Sequence, residues 1–219
     1  MYGGMDNRFE GNFPFGMPPW KLGTGRKLVQ KLSHKSSDQN VIPVTLGPIN
    51  EVMQRNGSDC VGAAVMSVFS EITGASITPE LYEGFLQTAL KHRLTERDSE
   101  GIKVLPFVLN VFSTPEFKQK FPSSDITVAY RRTLSLAEMS DIIKTTKNKT
   151  NPSYKLFVFL PFSSWTRADG GHMVTLQEIN STETTIYDPK IGEKRILPNA
   201  EFNRRWEHDN KSAIFVFVK

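Results

Sequence analysis

From residue 154 onward, short runs of β-branched and aromatic residues alternate with brief polar turns, and this pattern limits the fold more than any other feature of the chain. Residues 154–160 read as a buried strand, 172–179 as a second, and 184–188 as a third that returns across a short polar turn. Runs this close, separated by turn-forming residues, are hairpins. A further turn over 189–194, a short strand over 194–197, a short helix capped by Asn199 and running to Trp206, and a strand over 213–218 complete the series. A meandering antiparallel sheet follows from it.

The first half reads differently. A short strand over 42–46 leads in. Ser58 or Asp59 can cap a helix from Cys60 to Ile72, whose Val61, Ala64, Val65, Val68, Phe69 and Ile72 recur at helical spacing. Gly74 is a natural stop. Thr78-Pro79 begins a second helix with Leu81, Phe85, Leu86 and Leu90 inward. Residues 100–112 are expected to form a third, and Ser135 with Glu138 makes a capping box opening a helix toward Lys144. A polar turn over 147–153 precedes the strands. Helices first and an antiparallel sheet second predict an α+β domain.

At 219 residues the chain can bury one sizeable core. Residues 1–40 lack periodicity, with Gly, Phe, Pro and Met to Trp20 and then Lys21, Arg26, Lys27, Lys31 and Lys35. They predict a flexible or partly docked arm, with the folded domain over 41–219. The net charge of +4, from 27 basic and 23 acidic residues, is an ordinary solvated surface and argues against nucleic acid as partner. No run reaches the roughly 18–20 apolar residues of a membrane helix. The N-terminus lacks the basic-then-apolar layout of a secretory signal, so the expectation is a cytoplasmic chain, or one exported without a cleaved signal. The four Asn-x-Ser/Thr triplets, at Asn56, Asn148, Asn180 and Asn210, are read as chance.

Cys60 is the single cysteine, so its thiol serves packing or chemistry rather than a disulfide within the chain. It opens a helix, and helix N-termini favour thiolates. A thiol nucleophile needs an imidazole base, a group to orient it, and donors for the oxyanion. His172 follows Gly170-Gly171 at a strand start, and a turn about Asn180 places Asp188 opposite it. Gln54 can aim its amide at an oxyanion together with the Cys60 backbone N–H. Each residue also has a plainer reading: a core cysteine, a structural histidine, an Asp-Pro turn and a surface glutamine. Their order along the chain favours the chemical one. No metal-ligand spacing and no phosphate-binding glycine loop accompanies them, so no cofactor is expected.

The stretches 54–64 and 170–174, with Tyr187-Asp188-Pro189 and Phe202 and Trp206 beyond, resemble the papain-like cysteine peptidases. The closer match is the bacteriocin-processing group, which cuts leader peptides after a double glycine, and its stand-alone relatives. The resemblance covers about residues 42–218 and is specific at those motifs. It implies a papain-like α+β fold, with Cys60 as nucleophile, His172 as base then acid, Asp188 as orienter and Gln54 in the oxyanion hole. One departure stands out: many relatives carry Gly directly after the cysteine, where this chain has Val61-Gly62. The implied activity is hydrolysis of a peptide, isopeptide or amide bond through a thioester, in a setting such as a bacterial effector or toxin. The same triad serves peptidoglycan amidases or endopeptidases of NlpC type and acyl transferases of the transglutaminase or deamidase kind, and the fold also carries non-catalytic binding modules. The partners implied are a peptide, protein or peptidoglycan substrate, with a carrier, chaperone or immunity protein beside it.

Overall fold

The computed structural model describes residues 41–46, 50–54, 59–91, 97–98, 101–102, 111–120, 126–149, 155–165 and 171–218. The arm expected over 1–40, Ser58 and Gly170 lie outside the described residues.

The elements in chain order are β1 (Val44–Thr45), α1 (Cys60–Thr73), α2 (Pro79–Lys91), β2 (Arg97–Asp98), β3 (Gly101–Ile102), a 3₁₀ turn (Val111–Ser113), α3 (Pro115–Lys120), β4 (Ile126–Arg131), α4 (Leu136–Lys149), β5 (Lys155–Ser163), β6 (Gly171–Ile179), β7 (Glu183–Asp188), β8 (Glu193–Pro198), α5 (Asn199–Trp206) and β9 (Ala213–Val218). Seven strands form one antiparallel sheet in the order β4-β9-β5-β6-β7-β8, with β1 paired to the end of β6. The mixture of helices and antiparallel sheet expected from the sequence is therefore present.

The sheet lies between two apolar layers. Phe157, Phe159, Met173, Ile214 and Val216 pack with α1 and α2. Their alternates Val158, Leu160, Phe162, Val174 and Phe215 pack with Leu136, Met139 and Ile143 of α4 and with Phe202 and Trp206 of α5. Burial of both faces is why β5 and β9 read as unbroken apolar runs rather than alternating ones. Strand alternation then sends successive residues to opposite cores.

Local signals account for several helix ends. Gly74 closes α1 at φ 66°, a left-handed conformation that glycine adopts without strain. In the capping box, Glu138 accepts the Ser135 N–H at 2.8 Å and Ser135 Oγ accepts the Glu138 N–H at 3.1 Å. Two expected caps differ. Asp59 holds the N-cap position of α1 without a side-chain capping bond. Asn199 is the first residue of α5, and its amide instead ties turns together, accepting from Thr184 Oγ1 at 2.7 Å and donating to the Asn180 carbonyl at 3.0 Å. The third helix expected over 100–112 falls mostly on residues 103–110, which lie outside the described residues; at its ends, Gly101–Ile102 pairs with Arg97–Asp98 as a strand and Val111–Ser113 is a 3₁₀ turn. Strand β4 is an addition to the sequence expectations.

Candidate active site

Cys60 is the first residue of α1 and is 9% exposed. Its helix start is held by the backbone of Asp59, whose carbonyl accepts the Ala63 N–H at 3.0 Å and the Tyr82 hydroxyl of α2 at 3.2 Å. Gly62 makes this possible, because any Cβ there would overlap the Tyr82 hydroxyl. The glycine one place later than in many resembling sequences thus has a local reason: it admits the side chain that fixes the entry to the helix.

His172 and Asp188 come from adjacent strands. β6 and β7 pair with Thr175 opposite Tyr187 and Leu176 opposite Ile186, and the register slips between Leu176 and Glu178. Asp188 therefore lies two residues from the position opposite His172, on the diagonal, which corrects the expected direct pairing. A two-residue shift keeps both side chains on one face, where a one-residue shift would separate them. The His172 Nε2–H donates to Asp188 Oδ1 at 2.7 Å, and both residues are buried. With Nε2 engaged, Nδ1 is the nitrogen left for Cys60, which is among the groups that raise the pKa of the same ring.

The electrostatics follow from these contacts. Burial pulls the imidazole toward its neutral form, but the Asp188 hydrogen bond and the interactions with Cys60 and the Asp188 charge outweigh it, raising the His172 pKa to about 9. Burial likewise works against the Asp188 carboxylate. The hydrogen bonds from His172 and Arg195, the imidazolium charge and the Lys190 N–H prevail and lower its pKa to about 2.

Gln54 is brought to the same region by its backbone. Its N–H donates to the Pro189 carbonyl at 2.8 Å, next to Asp188. The segment leading to it is anchored on α1, where the Val52 N–H meets Ser67 Oγ at 3.0 Å and the Asn50 N–H meets Glu71 Oε2 at 3.0 Å. The 50–54 segment thus spans from the Cys60 helix to the turn after Asp188. His172 and Asp188 form a hydrogen-bonded pair, Cys60 is among the groups that act on the His172 ring, and the Gln54 backbone is latched beside Asp188.

Two residues of the site escape the sequence reading. Arg195 Nε–H donates to Asp188 Oδ2 at 2.8 Å, and its guanidinium lies 4.4 Å over the Trp165 ring. Trp165 in turn meets the His172 ring edge-on, with centroids 5.9 Å apart. A signal for Arg195 exists in the β7–β8 hairpin: Arg195 pairs with Ile186, two residues from Asp188 and so diagonal to it. Trp165 follows the end of β5 and carries no such signal. Among the described residues, no group of three His, Cys, Asp or Glu is gathered to hold a metal ion, and no helix is long and apolar enough to cross a membrane.

No protein-family model matches the chain, and no curated protein matches it. Solved structures do. One is a double glycine motif protease from an AMS/PCAT transporter, crystallised with the leader peptide, at 16% identity and a TM-score of 0.46, covering 80% of this chain and 96% of that one. Another is the peptidase domain of Streptococcus ComA, a bifunctional ABC transporter of a quorum sensing pathway, at 15% identity and 0.44, covering 76% and 96%. A third is described as a C39-like peptidase from Bacillus anthracis, at 16% identity and 0.43, covering 81% and 98%. Identities this low say nothing of chemistry, which rests on this chain's own residues.

Proposed function

We propose that the chain is a cysteine hydrolase that cleaves a peptide or related amide bond through a thioester, with its chemistry in residues 41–219. The observation that carries this reading is the buried His172–Asp188 hydrogen bond of 2.7 Å, on an imidazole whose pKa Cys60, at the start of α1, also helps to raise. A buried acid–imidazole pair with a thiol acting on the same ring supplies the groups that acyl transfer needs.

In the proposed cycle the Cys60 thiolate attacks the scissile carbonyl carbon and its π-electrons move to the oxygen. The Cys60 backbone N–H and the Gln54 amide face that oxyanion. As the C–N bond breaks, the His172 Nδ1–H protonates the leaving amine. The neutral imidazole then takes a proton from water, whose oxygen attacks the thioester. Sulfur leaves as thiolate, the acid is released and the imidazolium is restored. Asp188 holds the ring and remains ionised throughout.

Alkylation by iodoacetamide tests the nucleophile without knowledge of the substrate. Cys60 is expected to react faster than glutathione at pH 6, and His172→Ala to abolish the advantage. A wild-type rate equal to that of glutathione overturns the reading.

A further inference from the structure

We infer that Arg195 is a positioning residue for this chemistry, acting through Asp188, with Trp165 as the plate that holds it in place. The inference rests on the hydrolase reading above and concerns residues outside the triad.

Four side chains form a closed ring of contacts. Arg195 donates to Asp188 Oδ2 at 2.8 Å, and Asp188 Oδ1 accepts from His172 at 2.7 Å. The His172 and Trp165 rings meet in a T-shaped contact with centroids 5.9 Å apart, and the Trp165 ring carries the Arg195 guanidinium 4.4 Å from its centroid. Each member therefore restrains two others. A carboxylate bonded through one oxygen alone can rotate about its Cβ–Cγ bond and swing away from the imidazole. Here Oδ1 also accepts the Lys190 N–H at 3.0 Å, and Oδ2 is taken by Arg195, so the plane is fixed from both sides. Trp165 is itself seated against Phe162, with centroids 5.5 Å apart, and is also faced by Arg205 at 4.7 Å. Arginine suits this place because its planar cation can stack on a ring and donate sideways at once, which lysine cannot do. With the thiolate and imidazolium formed, the Arg195 and Asp188 charges complete a neutral quartet, so the site needs no further counter-ion when substrate excludes water.

The test is the pH profile of Cys60 alkylation in a double-mutant cycle of the full-length chain. Thiol reactivity below pH 7 reports the His-paired thiolate, and reactivity well above it reports any exposed thiolate. Arg195→Met is expected to lower the rate at pH 6 roughly tenfold, the equivalent of about 1.4 kcal/mol in the barrier, while the rate at high pH stays. Arg195→Gln, which keeps a donor without the cation, should fall between the two and also serves if the methionine variant does not fold. In an Asp188→Asn background, Arg195→Met should change nothing further. Independent, additive losses, or an Arg195→Met profile equal to wild type, overturn the assignment of Arg195. A wild-type thiol no more reactive than glutathione overturns the hydrolase reading instead, so the two failures are distinct.

Discussion

The proton on His172 sets the pH range in which the site can work. Its pKa of about 9 lies above the ordinary 6.5, so the imidazolium proposed to protonate the leaving amine is present through neutral pH and is lost as pH rises through about 9. The expected outcome is an alkaline limb of kcat/KM near that value, measured on any amide substrate found. The same shift is linked to stability. A raised folded pKa contributes stability that is whole below 6.5 and lost as pH rises through about 9. Chemical denaturation should show the gap between wild type and His172→Ala narrowing over that window, by an amount on the order of 3 kcal/mol. Asp188 runs the other way: its contribution is present above 3.8 and disappears as pH falls through about 2. Replacing Gln54 with alanine is expected to lower kcat by about 10²–10³, the usual cost of one oxyanion donor, with the urea midpoint nearly unchanged. A wild-type kcat in that variant removes Gln54 from the oxyanion hole.

At the scale of elements, the start of α1 depends on α2. Replacing a helical glycine with alanine normally stabilises by about 1 kcal/mol. At Gly62 the sign should reverse, because the added methyl would overlap a hydroxyl that is buried and bonded to the Asp59 carbonyl. Gly62→Ala is expected to cost roughly 1–3 kcal/mol, and adding Tyr82→Phe should recover part of it. Urea midpoints of the two single variants and the double variant measure this, and simple additivity would show that the overlap is not what sets the cost. The element boundaries show what sequence alone could locate. α1, α2, α4 and the β6–β7 hairpin were legible because caps, Pro79, Gly74 and turn residues act over a few positions. β4 was not, because Ile126–Arg131 is an edge strand whose partner, β9, lies at the other end of the chain. Nor was the register slip in β6, since nothing local in Leu176-Gln177-Glu178 dictates where the ladder skips.

Across the whole molecule, the sheet is the element to which both cores are attached. Phe159 is fully buried beneath α1, and Phe159→Ala should cost about 3–5 kcal/mol in chemical denaturation. A smaller test concerns the start of the domain. Val44 and Leu46 are buried in the core beside α4, and the Leu46 N–H bonds the Gln177 carbonyl at 2.8 Å. A chain beginning at residue 47 should therefore unfold at lower denaturant than one beginning at 41; equal midpoints would show that β1 is dispensable. The sequence by itself determined the helix-then-sheet order, the antiparallel hairpins and the candidates Cys60, His172, Asp188 and Gln54, because periodicity, caps and turn residues act locally. Only the tertiary structure decided that the sheet is covered on both faces, that Asp188 reaches His172 on the diagonal, and that Arg195 and Trp165 close a ring around them. Those outcomes depend on register and on packing between distant segments, where a shift of one residue turns a side chain to the opposite face.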